Sequence, residues 1–286
     1  MWFREQSNVL ERFGVVLRDS LDEVLDGQRT GRFDVDSLEE VEKAYLGTKF
    51  GTLMRAEFSL PLGRRASHAV AGHDVESTLS LNSDWAIPNG MIGRLCLLVS
   101  ADDHRSTFDI GLIRIANGML RSWSRRGGGR KLSFRTAGSG ITWLLRAARL
   151  PENALLKLPL SDSSAIMRPS SGQHRINELL RRVHGELIER RTAITVAMQA
   201  DGMKRCRDAR LQLAEEGIVV LGHQNDSPRI AKALGLPVPR KGSLLAVRLV
   251  RVPPNVAGRH TVEVGNEWYA VARRGDPVEL APRIRC

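Results

Sequence analysis

Cysteine, aromatic residues and long apolar runs are all scarce in this chain of 286 residues, and each scarcity excludes a class of protein. The three cysteines, Cys96, Cys206 and Cys286, are odd in number and far apart. They form no CxxC pair, so neither a zinc ribbon nor a disulfide framework is expected, and a reducing cytoplasm fits them. Only two tyrosines occur, Tyr45 and Tyr269, and neither lies in a segment that argues for a covalent nucleophile. No apolar stretch is long enough to cross a membrane, and the opening MWFREQSNVLERF carries charge where a signal peptide needs an apolar run. The serines have no GxSxG elbow, and the RRGGGR run lacks P-loop spacing, which excludes the common acyl-transfer and nucleotide motifs.

Acidic residues are in deficit too. Thirty-two Asp plus Glu face 43 Lys plus Arg, a net charge of +11, so polyanions are the natural partners. The excess is uneven: 21 basic and 12 acidic residues lie from Met167 onward, against 22 and 20 before it. With 42% hydrophobic residues the chain can bury a real core, and its length suggests two domains.

Val9, Leu10, Phe13, Val16, Leu17, Leu21, Val24 and Leu25 fall at helical spacing, and Gly27 follows as a stop. Ser37 and Glu40 make a capping-box pattern for a second helix, with Leu38, Val41, Tyr45 and Leu53 as its buried face toward Phe58. The period then changes, and AVAGHDVESTLSL, RLCLLVSADD and TFDIGLIRIANG read as three strands. Residues 122–140 lose apolar period and read as a basic loop, in which RRGGGR offers backbone N–H groups to phosphate. SDSSAIMRPSSGQ reads as an interdomain linker ending near Gly172. Beyond it, Ile176, Leu179, Leu180, Val183, Leu187 and Ile188 share one helical face. A basic helix from Met203 to Arg210, the strand GIVVLG, the short helix PRIAKALGL and the strands SLLAVRLV, HTVEV and EWYAVA complete the chain. The fold expected is α/β (mixed α+β), with residues 1–165 as one domain and 166–286 as a winged helix-turn-helix.

Lys204, Arg205, Arg207 and Arg210 crowd one short helix, where they can neutralise phosphates or present a fork to guanine. Gln224 and Asn225 are candidate base readers, with Arg229, Arg240 and Lys241 as phosphate partners. The segment HAVAGHDVE, with His68, His73, Asp74 and Glu76, is the densest set of metal-ligand types; in a regular strand Asp74 and Glu76 share a face that His73 does not.

The segments VLRDSLDEVLDGQRTGR, EKAYLGT, AVAG, RINELLRRVHGELIERR, TVAMQADGMKRCR and EGIVVLGHQNDSPRIAKALGLPVPRKG together resemble the NaeI type II restriction endonuclease family, from about Val15 to Pro277. The resemblance implies a homodimer with a nuclease-fold N-terminal domain and a C-terminal winged-helix domain that binds a second DNA copy. It also implies recognition of a GC-rich palindrome and Mg²⁺-dependent cleavage. The nuclease pattern calls for a helix glutamate, an aspartate before a strand, and an acid and a lysine two residues apart along it. Overlaid without gaps from Gly47 through Ser80, these fall on Gly51, Ser67, Glu76 and Thr78, so one acid survives and the lysine is lost.

The expectation is a sequence-specific double-stranded DNA-binding protein that has lost catalysis, acting in the cytoplasm on the nucleoid as a regulator or as a reader of a modified site. It would bind as a homodimer, with two duplexes per dimer, and need no cofactor for binding; Mg²⁺ would matter only for residual cleavage. One alternative is a diverged endonuclease or nickase using Glu76, Asp74 and a displaced Lys43 or Lys49; another is a partner subunit of an active family member. The DNA-binding set is the helix cations above with Gln224, Asn225, Arg240 and Lys241, joined in the first domain by Gln28, Arg29 and Arg32 of DGQRTGR.

Overall fold

The structure is a computed structural model that describes residues 2–123, 129–254 and 256–285. Contacts divide it into one unit of Met1–Leu25 with Asp34–Asn153 and a second of Asp26–Phe33 with Ala154–Cys286. Both mix helices with sheets.

In the first unit, helices α1 (Val9–Leu25) and α2 (Glu40–Phe58) cover one face of a five-stranded sheet. Its strands are β1 (His68–Val70), β2 (His73–Ser80), β4 (Leu95–Asp102), β5 (Thr107–Arg114) and β8 (Thr142–Arg149), in the order β1-β2-β4-β5-β8. Only β2 and β4 run parallel. Helix α2 does not start on Ser37: the N–H of Glu39 donates to Glu42 Oε2 at 2.9 Å, and Ser37 lies in a preceding turn. Nor is its buried face the expected one. Val41 and Tyr45 are 72% and 54% exposed, while Leu46, Phe50, Met54 and Phe58, spaced four apart, are buried. That spacing keeps one side of an α-helix in register with the sheet below it.

The expected first strand is a hairpin, β1 and β2, because Ala71 and Gly72 both take positive φ in a two-residue turn that pairs Val70 with His73. Strand β4 is buried on both faces: Leu97 and Val99 meet the helices, and Cys96 and Leu98 meet a second core. That core belongs to a three-stranded sheet of β3 (Asp84–Ile87), β6 (Arg121–Trp123) and β7 (Gly129–Ser133), in which Trp85 donates its indole N–H to Val99 O at 2.7 Å. The basic loop reading of 122–140 is therefore corrected at its flanks, since β7 pairs with β3 and buries Leu132. Residues 124–128, most of the RRGGGR run, lie outside the described residues.

In the second unit, residues Leu160–Met167 form helix α3, with Ile166 fully buried, where a linker was expected. Helix α4 (Gly172–Arg182) is followed by β9 (Leu187–Glu189), helices α5 (Arg190–Ala197) and α6 (Gly202–Leu213), and β10 (Ile218–Leu221). The helical face read through Ile188 is thus broken: Val183 leaves helical geometry, Gly185 turns at φ 77°, and Leu187 and Ile188 enter a strand. Helix α7 (Ser227–Ala233) precedes β11 (Ser243–Arg251), β12 (Thr261–Val264) and β13 (Glu267–Val271). Strand β11 pairs with β9 and β10 near its start and with β13 at its end. Alternation along β10 sends Ile218 and Val220 into a core with α4, α5 and α6, and Val219 and Leu221 into a core with α7.

Candidate functional site

Along β2 the side chains alternate. Val75 and Leu79 join the helix-side core, and Ser77 lies under α2, so Asp74, Glu76 and Thr78 point to the other face. Glu76 is 8% exposed and both its oxygens are engaged. Oε2 accepts the Ser67 N–H at 3.1 Å and the Ser67 hydroxyl at 2.6 Å, and Oε1 accepts Arg94 Nη1 at 2.7 Å. Arg94 also donates to Arg65 O, which ties it to the turn before β1. Beside this cluster, burial and the charge of Glu76 push the Cys96 thiol up to about 12, which keeps it a thiol.

The other residues of the nuclease pattern and of HAVAGHDVE separate. Gly51 faces the opposite side of the strand: a Cβ there would lie 3.2 Å from Ser77 Oγ and 3.3 Å from His68 Cε1, so an imidazole and a hydroxyl occupy its surroundings. His68 is fully buried with Nε2 at 2.9 Å from Ser77 Oγ, and its Nδ1 has no hydrogen-bond partner among the described residues. Burial, helped by the charge of Arg55, lowers its pKa to about 4, so it is neutral near pH 7. Thr78 is half-buried and His73 exposed. Asp74 accepts the backbone N–H groups of Arg64 at 2.9 Å and Arg65 at 3.0 Å, which commits both its oxygens to a turn. Lys49 pairs with Glu23 and Lys43 with Glu40, so neither proposed substitute lysine is directed to Glu76. Among the described residues one group of three metal-ligand types converges, Asp34, Asp36 and His104, with ligand atoms within 4.8 Å of one another. The sequence reading did not single it out.

In the second unit, α6 crosses α5 so closely that a Cβ on Gly202 would lie 2.6 Å from Ala193 O, and only glycine starts the helix there without displacement. Cys206, Ala209 and Leu213 form its buried face. The outward face carries Lys204, Arg207, Asp208 and Leu211, the last 85% exposed. Lys204 lies 3.2 Å from Asp208, and Arg205 donates to Gln199 at 3.1 Å. Arg210 is turned the other way, with Nε on Val220 O at 3.0 Å, and braces α6 on β10. Arg207 is exposed and makes no ion pair among the described residues.

Gln224 and Asn225 are exposed in the turn before α7, where Asn225 takes φ 53°. Arg240 reaches Glu189 at 3.5 Å, Lys241 is exposed beside it, and Arg229 leans on Glu263 O. The DGQRTGR segment packs with this unit: a Cβ on Gly27 would lie 2.4 Å from Thr195 Oγ1. There Arg29 pairs with Asp26 at 2.9 Å, Gln28 is half-buried, and the Arg32 N–H donates to Thr30 Oγ1 at 3.1 Å. Arg175, read only as part of a helix, is buried and donates to four carbonyls, those of Val196, Ala197, Pro169 and Ser170, at 2.6–2.9 Å.

A family model described as restriction endonuclease NaeI matches residues 3–280. The chain belongs to the restriction endonuclease NaeI family. It is 38% identical to the type II restriction enzyme NaeI of Lentzea aerocolonigenes over 288 residues, 96% of this chain and 89% of that one. Among the described residues, no helix is long and apolar enough to cross a membrane. Against the Mg²⁺-dependent chemistry that the family resemblance implies, the donor set here does not fit. Magnesium is held through carboxylates and water in near-octahedral geometry. At the positions the pattern assigns, only Glu76 is anionic, and a guanidinium already sits against it.

Proposed function

We propose that this family member binds duplex DNA at a specific GC-rich palindrome as a homodimer and holds it without cutting, as a regulator or as a reader of a modified site. The observation that carries the reading is the engagement of both Glu76 oxygens by Ser67 and Arg94. Phosphodiester hydrolysis needs a metal held by anionic ligands to polarise the phosphate and activate water, and a cation to support developing charge. Gly51, Ser67 and Thr78 supply neither, and Arg94 cancels the one acid left. Displacing that guanidinium would leave a carboxylate in a site that is nearly closed, so the exchange is uphill.

DNA recognition is assigned to the second unit as a winged helix. The order helix, strand, helix, helix, strand, helix, strand from α4 to β11, with α5 and α6 consecutive, supports that reading, as does a basic outward face on α6, the helix that would enter the major groove. Arg207 would present its fork to a base edge, Leu211 would contact a thymine methyl, and Lys204 would contact phosphate.

A second reading, a diverged endonuclease or nickase, is favoured by the 38% identity to a restriction enzyme along almost the whole chain. One experiment separates the two. Sheared genomic DNA is selected by the purified protein with Mg²⁺ present, and the bound fragments are sequenced together with their ends. Intact fragments sharing one palindrome are expected. Ends piling up inside the motif would establish the endonuclease, and fragments with no shared motif would remove sequence-specific binding.

A further inference from the structure

The replaced centre does more than lose acids, and what it gains rests on the DNA-binding reading above. We infer that the turn at 63–67 together with Arg94 is a metal-independent phosphate-binding site for the DNA backbone, built where the nuclease pattern places its metal ligands.

Three arginines meet two carboxylates there, and both carboxylates are fully engaged. Asp74 accepts the backbone N–H groups of Arg64 and Arg65, while Glu76 takes Ser67 and Arg94. The Arg64 and Arg65 side chains are exposed and have no hydrogen-bond or ion-pair partner among the described residues. Arg94 uses Nη1 for both its contacts, so Nε and Nη2 have no protein acceptor among the described residues, and its side chain is 37% exposed. A guanidinium with two free donors suits a phosphate oxygen pair, and an Arg–phosphate contact is charge-assisted.

The turn that carries these groups is stiff. A Cβ on Gly63 would lie 2.6 Å from Ala66 O and 2.7 Å from His68 O, Asp74 bridges two of its N–H groups, and Arg94 holds Arg65 O. Stems fixed this way lose less freedom when an anion binds. Where two or three carboxylates face a phosphate, a divalent cation must screen them before DNA can settle. Here the neutral Ser67 and Thr78 remove that repulsion, and the guanidiniums supply attraction.

The test uses the full chain and two fluorescein-labelled duplexes, a random sequence and the palindrome from the genomic selection, with binding read by anisotropy across a salt series. Measurements are made in EDTA and in Ca²⁺ at matched ionic strength. The wild type is expected to bind equally in both, within about twofold, because no acid needs screening. The double variant Arg64→Ala, Arg65→Ala lies on the surface and should keep its melting temperature. It should flatten the salt dependence of affinity by about two phosphate contacts, for both duplexes alike. Arg94→Ala should bind about tenfold more weakly in EDTA and regain part of that in Ca²⁺, since Glu76 is then exposed to the phosphate; Arg94→Ala, Glu76→Gln should lose the Ca²⁺ response. Wild-type binding that requires Ca²⁺, or an unchanged salt slope in the double variant, overturns the inference while leaving DNA binding intact. Failure of the wild type to bind either duplex overturns the parent reading with it.

Discussion

Arginine does opposite work in the two units. In the first, Arg94 lies against a nearly buried carboxylate, and the side chains around it are turned toward one another: Ser67 to Glu76, Asp74 to the turn, His68 to Ser77. In the second, Arg175 meets no acid among the described residues. It gathers four backbone carbonyls, two of them from the end of α5, and so ties α4 to α5, the helix against which α6 packs with Lys204 and Arg207 facing outward. One region engages its carboxylates completely and leaves only arginine donors over, and the other uses a buried charge to hold a basic surface open. Counting cations shows neither; the acceptors decide.

The largest effect that would sharpen this contrast is at Arg175. Arg175→Ala leaves four carbonyls, two of them in buried hydrogen bonds, short of a charged donor, and a loss of about 3–4 kcal/mol is expected, read as a fall in denaturation midpoint. If α4 and α5 need that brace, specific DNA binding falls with stability, and Arg175→Lys recovers little because an ammonium cannot span the same fork. Near-wild-type stability in Arg175→Ala would break the comparison at its second term.

This pair of roles also shows what the sequence makes legible. The α1 stripe, the β2–β4–β5 strands and the basic α6 are readable because hydrophobic period and local charge report them directly. Gly51, Ser67 and Thr78 stand out only against the nuclease pattern and need no geometry to be noticed. Arg94 needs it. It opens a strand that reads as plain apolar β, and its partner lies 18 residues away on a neighbouring strand, a distance no local pattern spans. A signal did exist in the Gly63–Arg64–Arg65 turn just before Ser67, since paired arginines after glycine beside a vacated acid mark a change of charge. The exposed Val41 and Tyr45 misled because large apolar residues dominate a helix pattern even when the four-residue stripe of Leu46, Phe50 and Met54 is the one that packs. The linker reading of 161–173 failed over its first half for a related reason: serines flanking one buried Ile166 conceal a two-turn helix.

The closed character of the first unit has a pH signature. Burial holds His68 neutral with a pKa of about 4, below its ordinary value, so the unfolded chain binds a proton that the folded chain refuses. Stability from this group is fully present above pH 6.5, falls as pH drops through the interval, and is lost by about pH 4. The span corresponds to roughly 3 kcal/mol. His68→Gln removes the titration, so the difference in melting temperature between variant and wild type should shrink steadily between pH 7 and pH 4. A difference that stays constant with pH would mean that the imidazole is not held neutral, and that this side of the strand is more open than the hydrogen bond to Ser77 implies.

The smallest effects test the open surface of the second unit, and there the contrast is between neighbours on one helix. Arg207, exposed and unpaired among the described residues, should cost about 1–3 kcal/mol of affinity for the palindrome when changed to Ala, with random duplex nearly unaffected. Lys204, one helical turn away and already 3.2 Å from Asp208, should behave differently. Its exposed pair contributes only a few tenths of a kcal/mol to folding. Lys204→Ala should therefore leave the melting temperature unchanged and weaken palindrome and random duplex by the same small factor, with the salt slope reduced by about one. If the palindrome alone weakens, Lys204 reads a base and the outward face is rotated relative to the groove by about one residue; Arg207 would then be the phosphate contact, and the two variants would exchange their signatures.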